Sequence, residues 1–407
     1  MKRILILAVA LALTAKGHAQ EGMEAILQQI AQNNKALQAN TQLIASQKLE
    51  NKATNNLANP TLSYSHLWDS DDKNITVGEL VISQSFDFPS LYATRNRVSR
   101  LKGTALDAQS AAVRQQVLLQ AKELCLDIVL LHQQQRLLDE RLKNAEELAQ
   151  MYAERLRTGD ANALETNKIN LELLNVRTES RTNATTLQNK LKELTALNGN
   201  LPLAPGRPQP EPATPGPEAL GLTDYTPVAL PADFTPVLNE LLAADPALQA
   251  LRHESAAARK QVSVSKQGWL PQLELGYRRN TETRHPLNGI VVGFSFPLFE
   301  NRHQVKMAKS QALNLDYQKE DALLQASSAL WQLYDEARSL RQSIDEYNDT
   351  FARQRDLSLL RKALEGGEIS MIEYFVEVSV VYQSKANLLL LENQYQKVMA
   401  QMYKSRL

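Results

Sequence analysis

Residues 117–160 read VLLQAKELCLDIVLLHQQQRLLDERLKNAEELAQMYAERLRTGD, and the spacing of apolar residues in this stretch decides the fold. Val117, Leu124, Leu131, Leu138, Ala145 and Tyr152 repeat every seven residues. Ala121, Ile128, Leu142, Ala149 and Leu156 form a second line four residues on, broken only by Gln135. Side chains with this 3/4 spacing share one face, which must pack against another helix. The surrounding stretch, Leu91 to Thr158, contains no proline and a single glycine, Gly103. At 1.5 Å per residue it predicts a rod of roughly 100 Å, far beyond the 8–20 residues of an ordinary globular helix. Gly159-Asp160 ends it, because glycine accepts the left-handed conformation that reverses a chain.

The 407-residue chain balances 45 basic against 45 acidic side chains. That neutrality argues against a nucleic-acid partner. At the start, Lys2 and Arg3 precede an apolar run from Ile4 to Leu13, and Gly17-His18-Ala19 supplies small residues at −3 and −1. This reads as a secretory signal, residues 1–19, cleaved after Ala19. No later segment has the roughly 20 apolar residues of a spanning helix, so an outer-membrane span must be β-structure. Cys125 is the single cysteine and reads as a buried structural thiol. The histidines lack metal-ligand spacing, and no cofactor is expected.

The chain is internally duplicated. Asn34-Lys35-Ala36-Leu37-Gln38-Ala39 recurs as Asp245-Pro246-Ala247-Leu248-Gln249-Ala250, an offset of 211 that also superposes Pro60 on Pro271. The offset then shortens to 208, placing Phe86-Asp87-Phe88-Pro89 on Phe294-Ser295-Phe296-Pro297, Gly159-Asp160 on Gly367-Glu368, and Glu165 on Glu373. Each half predicts helix, β-hairpin, long helix, tip turn, helix. The first repeat spans 20–200, with a hairpin at 60–89, a long helix at 90–158 and a tip at 159–162. The second spans 234–407, with a hairpin at 271–297, a long helix at 298–365 and a tip at 366–370. Ten of the 16 prolines fall between Pro202 and Pro236, so 201–233 reads as an extended linker. The shorter helices 23–57 and 163–198 are each roughly 50 Å long, and two end to end match one long rod.

Both hairpins alternate. Leu273, Leu275 and Tyr277 are in phase with Ile290, Val292, Phe294 and Phe296, opposite Glu274, Gly276, Arg278, Gly293 and Ser295. Leu62, Tyr64 and Trp68 match Ile82, Phe86 and Phe88, opposite Ser63, Ser65, Ser83 and Ser85. Such strands have the length and pattern of membrane-barrel strands. Four per chain cannot close a barrel, since eight is about the minimum, whereas three copies supply twelve. The fold class is therefore mainly α with a small β part: duplicated helical hairpins forming an α-barrel, plus four strands contributing to a trimeric barrel.

Gly268-Trp269-Leu270-Pro271 leads into a strand, Gly293-Phe294-Ser295-Phe296-Pro297-Leu298-Phe299 leaves one, and Leu364-Glu365-Gly366-Gly367-Glu368-Ile369-Ser370 forms a tip followed by Glu373. In this order the chain resembles the TolC family of outer-membrane efflux and secretion ducts, over nearly all of its length beyond the signal. The resemblance implies a homotrimer in outer-membrane lipid, with a helical barrel through the periplasm. Its implied partners are a periplasmic adaptor protein and an inner-membrane transporter. Adaptor contact is expected at Gly159, Asp160, Gly367, Glu368, Ile369 and Ser370. The first tip fits the family pattern less well than the second. The family also implies an acidic ring near the entrance. Glu373 matches that position, whereas Val376 stands where a second acid is common.

Glu165 and Glu373 lie six residues past their tip glycines, and Glu377 lies one turn beyond Glu373. A threefold ring of such carboxylates would attract cations; a solvated flank of the coiled coil is the other reading. Arg155, Arg353 and Arg361 are candidates to pair with these acids. No phosphate loop, nucleophile elbow or catalytic constellation is present, so no enzymatic activity is expected. The expected function is a passive duct. The alternative is a periplasmic coiled-coil scaffold or adaptor, but an adaptor has one helical hairpin between β-rich domains and this chain has two.

Overall fold

The computed structural model describes residues 22–68, 70–71, 76–159, 162–203, 216–281, 285–353 and 357–407. The signal segment read at 1–19, and Asp160, lie outside them. The elements run α1 (22–33), α2 (Lys35–Ala53), β1 (Thr61–Trp68), β2 (Thr76–Phe86), α3 (Pro89–Thr158) and α4 (Ala163–Leu197). They continue with α5 (Pro217–Leu220), α6 (Thr235–Ala244), α7 (Pro246–Gln267), β3 (Gln272–Asn280) and β4 (Leu287–Ser295). α8 (Gln304–Arg353), α9 (Leu357–Glu365) and α10 (Met371–Met402) complete the chain before a short 3₁₀ turn. Among the described residues no helix is long and apolar enough to cross a membrane.

Two compact units divide the chain: one holds Asn40–Ala112 and Leu242–Ala326, the other Met1–Ala39, Val113–Leu241 and Ser327–Leu407.

In the first of these units the two hairpins join into one antiparallel sheet of order β1-β2-β3-β4. The register aligns Leu62 with Ile82, Ile82 with Tyr277, and Tyr277 with Ile290. One face is therefore a continuous apolar row, and these four side chains are exposed. The other face carries Ser83 against Gly276, where a Cβ would come within 2.6 Å of the Ile82 carbonyl oxygen; only glycine permits that approach. Helix packing beside the sheet includes Leu91, Val98 and Val264. Asp316 on α8 accepts from Ser255 Oγ at 2.6 Å and from Arg259 Nη2 at 2.8 Å, both on α7.

The helical unit is organised by α3. Ala121, Leu124, Ile128, Leu138, Ala145 and Tyr152 of its seam are buried, whereas Leu156 at its end is exposed. Leu118, Cys125, Val129 and Leu148 are buried as well, so the helix is covered on more than the single predicted stripe. Ile26 and Ile30 of α1, with Leu187, Leu191 and Leu194 of α4, form one cluster with it. Gln135, the break in the seam, is satisfied across the α3–α4 interface. Its Oε1 accepts from Asn183 Nδ2 at 2.9 Å, and its Nε2 donates to Ser180 Oγ at 2.8 Å. A paired polar layer of this kind fixes helix register. Cys125 is fully buried, and burial pushes its thiol up to about 12, so it is inert.

Three boundaries differ from the sequence reading. The helix read at 23–57 is broken at Asn34, whose Oδ1 accepts from Leu37 N at 3.0 Å and starts α2. Its repeat mate Asp245 does the same for α7 through Ala247 N at 2.8 Å. The duplication reaches single hydrogen bonds: Gln38 Nε2 donates to the Gln32 carbonyl at 3.1 Å, and Gln249 Nε2 to the Ala243 carbonyl at 3.0 Å. Second, the long helix read from 298 begins at Gln304, because His303 adopts φ 70°, which no right-handed helix contains. Third, the linker read at 201–233 is packed where described. Leu203, Leu220 and Leu222 are buried, as is Phe234 just beyond it. Phe234 stacks on Tyr334 at 4.5 Å and meets Trp331 edge-on at 5.1 Å. Tyr395 Oη and Tyr334 Oη donate to the carbonyls of Val228 and Pro231, at 2.8 and 3.1 Å. The segment from 216 onward is a strap.

Candidate functional site at the helical tips

Each tip is built from a left-handed glycine followed by a capping box. Gly159 has φ +86° and Gly367 φ +75°, and a Cβ placed on either would meet nothing within 4 Å. At the second tip Glu368 N donates to the Ala363 carbonyl at 2.8 Å and Gly367 N to the Leu364 carbonyl at 3.2 Å. This pair of bonds closes the last turn of α9 and satisfies its terminal carbonyls. At the first tip Gly159 N donates to the Leu156 carbonyl at 3.3 Å. Asp160 lies outside the described residues.

The returning helices start alike. Glu165 N donates to Asn162 Oδ1 at 3.0 Å while Asn162 N donates to Glu165 Oε2 at 3.3 Å. Glu373 N donates to Ser370 Oγ at 3.3 Å, and Ser370 N returns a bond to Glu373 Oε2 at 2.8 Å. Glu165 and Glu373, singled out as entrance acids, are thus the N3 carboxylates of reciprocal caps. The bonds from Ser370 hold the Glu373 carboxyl below the usual carboxylate range. Glu368 and Glu377 are exposed, whereas Ile369 packs on the core below the second tip.

The arginines do not pair with these acids. Arg155 lies over the Tyr152 ring, 5.4 Å from its centroid, and Arg353 is exposed at the end of α8. Arg361 on α9 pairs with Glu147 on α3 and, at 3.1 Å, with Glu365 one turn on. Below this pair, Leu148, Tyr152, Ile169, Leu364, Met371 and Tyr374 form one core drawn from α3, α4, α9 and α10. Asn144 Nδ2 donates to Tyr374 Oη at 3.3 Å inside it. Glu147, Asn144 and Tyr374 escaped the sequence reading because their partners lie more than 200 residues away in the chain. The capping boxes had a local signal, Asn162-x-x-Glu165 and Ser370-x-x-Glu373. Among the described residues no cluster of His, Cys, Asp and Glu is placed to hold a metal ion.

The described residues of both tips thus comprise an exposed left-handed glycine and a capped start of the returning helix. The family described as Outer membrane efflux protein matches residues 237–405, the second repeat with its tip. No curated protein matches the sequence. Solved structures extend the efflux-protein fold to almost the entire chain. CusC, whose structures describe folding and transmembrane channel formation, superposes with a TM-score of 0.76 at 17% identity, covering 95% of this chain and 92% of its own. The outer membrane protein VceC of Vibrio cholerae gives 0.73 at 14% identity, covering 94% and 95%. The open state of the MtrE outer membrane channel of Neisseria gonorrhoeae gives 0.71 at 14% identity, covering 94% and 88%. At these identities the likeness establishes the fold, that of outer-membrane efflux channels.

Proposed function

We propose that three copies of this chain form a passive duct through the outer membrane and periplasm, fed by an inner-membrane transporter through a periplasmic adaptor. One observation carries this reading: an open four-stranded sheet whose outward face is apolar and exposed. β1 and β4 are edges of that sheet, and an unpaired edge cannot sit in lipid. Closure by two further copies removes every edge and gives twelve strands, within the range of outer-membrane barrels. A periplasmic scaffold in water has no use for such a face.

Adaptor docking falls on Gly159, Asp160, Gly367, Glu368, Ile369 and Ser370, between the long helices and the returning helices α4 and α10. Arg361 bound to Glu147 ties the second hairpin to the first within one subunit, and its release would let the hairpins part. Glu165, Glu373 and Glu377 from three copies would then line the mouth. Purified protein in a planar bilayer tests the duct. The expected result is stepwise ion conductance whose open probability rises in Arg361→Gln. A bilayer left non-conducting by inserted trimers of both wild type and variant contradicts the reading.

A further inference from the structure

The two faces of the sheet differ in charge as well as polarity. Alternation in this register puts Leu62, Tyr64, His66 and Trp68 on the apolar face with Thr76, Gly78, Leu80, Ile82, Gln84 and Phe86. Leu273, Leu275, Tyr277 and Arg279 share it with Asn288, Ile290, Val292 and Phe294. Among these described strand residues there is one permanent charge, Arg279, and no carboxylate. Glu79, Glu274 and Arg278 are on the opposite face, where Arg278 pairs with Glu79. Consecutive arginines thus face opposite ways, one neutralised and one turned outward.

Arg279 is exposed and stands in the row Tyr64–Leu80–Arg279–Asn288. That row lies toward the strand ends away from the helices, beyond the apolar row of Ile82, Tyr277 and Ile290. Its neighbours are amphipathic. Tyr64 and Trp68 are exposed, and His66 lies 6.1 Å from the Trp68 ring. Tyr277 Oη donates to Asn288 Oδ1 at 2.7 Å. Aromatic rings with a polar tip, set just outside an apolar band, are built for the headgroup layer. A guanidinium there offers a fork of donors matched to phosphate oxygens.

We propose that Arg279, with Tyr64 and Asn288 in its row and His66 one row farther out, binds the phosphate of an anionic lipid headgroup at the rim of the apolar band. Each subunit would hold one such lipid, pinning the barrel at fixed depth. The inference rests on the outer-membrane reading and adds to it a ligand class and its residues. Charge complementarity supports it: among the described strand residues of the outward face Arg279 is the one permanent charge, with no function toward hydrocarbon and a clear one toward phosphate.

The test uses full-length trimers reconstituted in nanodiscs of phosphatidylethanolamine, with or without diphosphoryl lipid A, then counts lipid A retained per trimer by native mass spectrometry. Wild type should retain lipid A, and Arg279→Lys should retain most of it. Arg279→Gln should lose it roughly fivefold, the change one basic side chain supplies at an anionic surface. Arg278→Gln, on the other face, should leave retention unchanged. Equal retention by wild type and Arg279→Gln overturns the proposal, as does full displacement by inorganic phosphate, which would mark a site for free phosphate. Failure of the chain to form inserted trimers at all overturns the duct reading instead, and the headgroup site with it.

Discussion

Phe234 is 2% exposed between Trp331 and Tyr334, whereas Phe294 on β4 is 59% exposed beside Val292 and Ile290. The helical unit buries a core of such side chains, although Leu164, Leu171, Leu174, Ile372 and Val376 stand exposed on it. The sheet turns an equally apolar set outward. Exposing contiguous apolar area to water costs about 25 cal/mol per Å², and soluble monomers rarely tolerate such patches. An apolar set turned outward on the sheet suits hydrocarbon.

The largest expected effect falls on the inside-facing phenylalanine. Phe234→Ala should destabilise the assembly by about 3–5 kcal/mol, read from the urea midpoint of detergent-solubilised protein. A change below about 1 kcal/mol would mean the strap merely lies on the surface. Next comes the outward face: Val292→Lys should cost about 2–4 kcal/mol per chain if that residue meets the bilayer interior. Insertion into vesicles should drop while helical content stays unchanged, and unimpaired insertion would remove the membrane from that face.

The smallest effect is at the tips. Ser370→Ala should loosen α10 by about 1 kcal/mol, the usual worth of such a cap, visible as faster amide exchange in its first turn. The cap also has a pH signature. Hydrogen bonds hold Glu373 below its usual range, so its contribution is complete above the ordinary glutamate range. It fades as pH falls through the depressed folded value. Exchange at the first turn of α10 should accelerate only under acid, and in Glu373→Gln that acceleration should vanish. Acid sensitivity persisting in that variant would assign the effect to another carboxyl.

Much of this plan is legible in the chain because its devices are local or periodic. The seam from Val117 to Tyr152, the 211-residue echo of Asn34 in Asp245, and the tip glycines all act within a few residues of themselves. What escaped the sequence is of two kinds. Arg361 meets Glu147 only because two hairpins pack, and no spacing announces a partner 214 residues away. The strap was hidden by its prolines, which signal an extended chain and outweigh Leu220, Leu222 and Phe234. Glu165 and Glu373 are a different lesson. Their capping pattern, Asn162-x-x-Glu165 and Ser370-x-x-Glu373, is present in the sequence.

On this reading the outward apolar face exists because three copies close a barrel in the outer membrane. The mass of the detergent-extracted particle tests it most directly. Light scattering on protein taken from outer-membrane fractions should give three chains per particle, with loss of dispersion when detergent is removed. A monodisperse single chain that stays soluble without detergent would contradict the account.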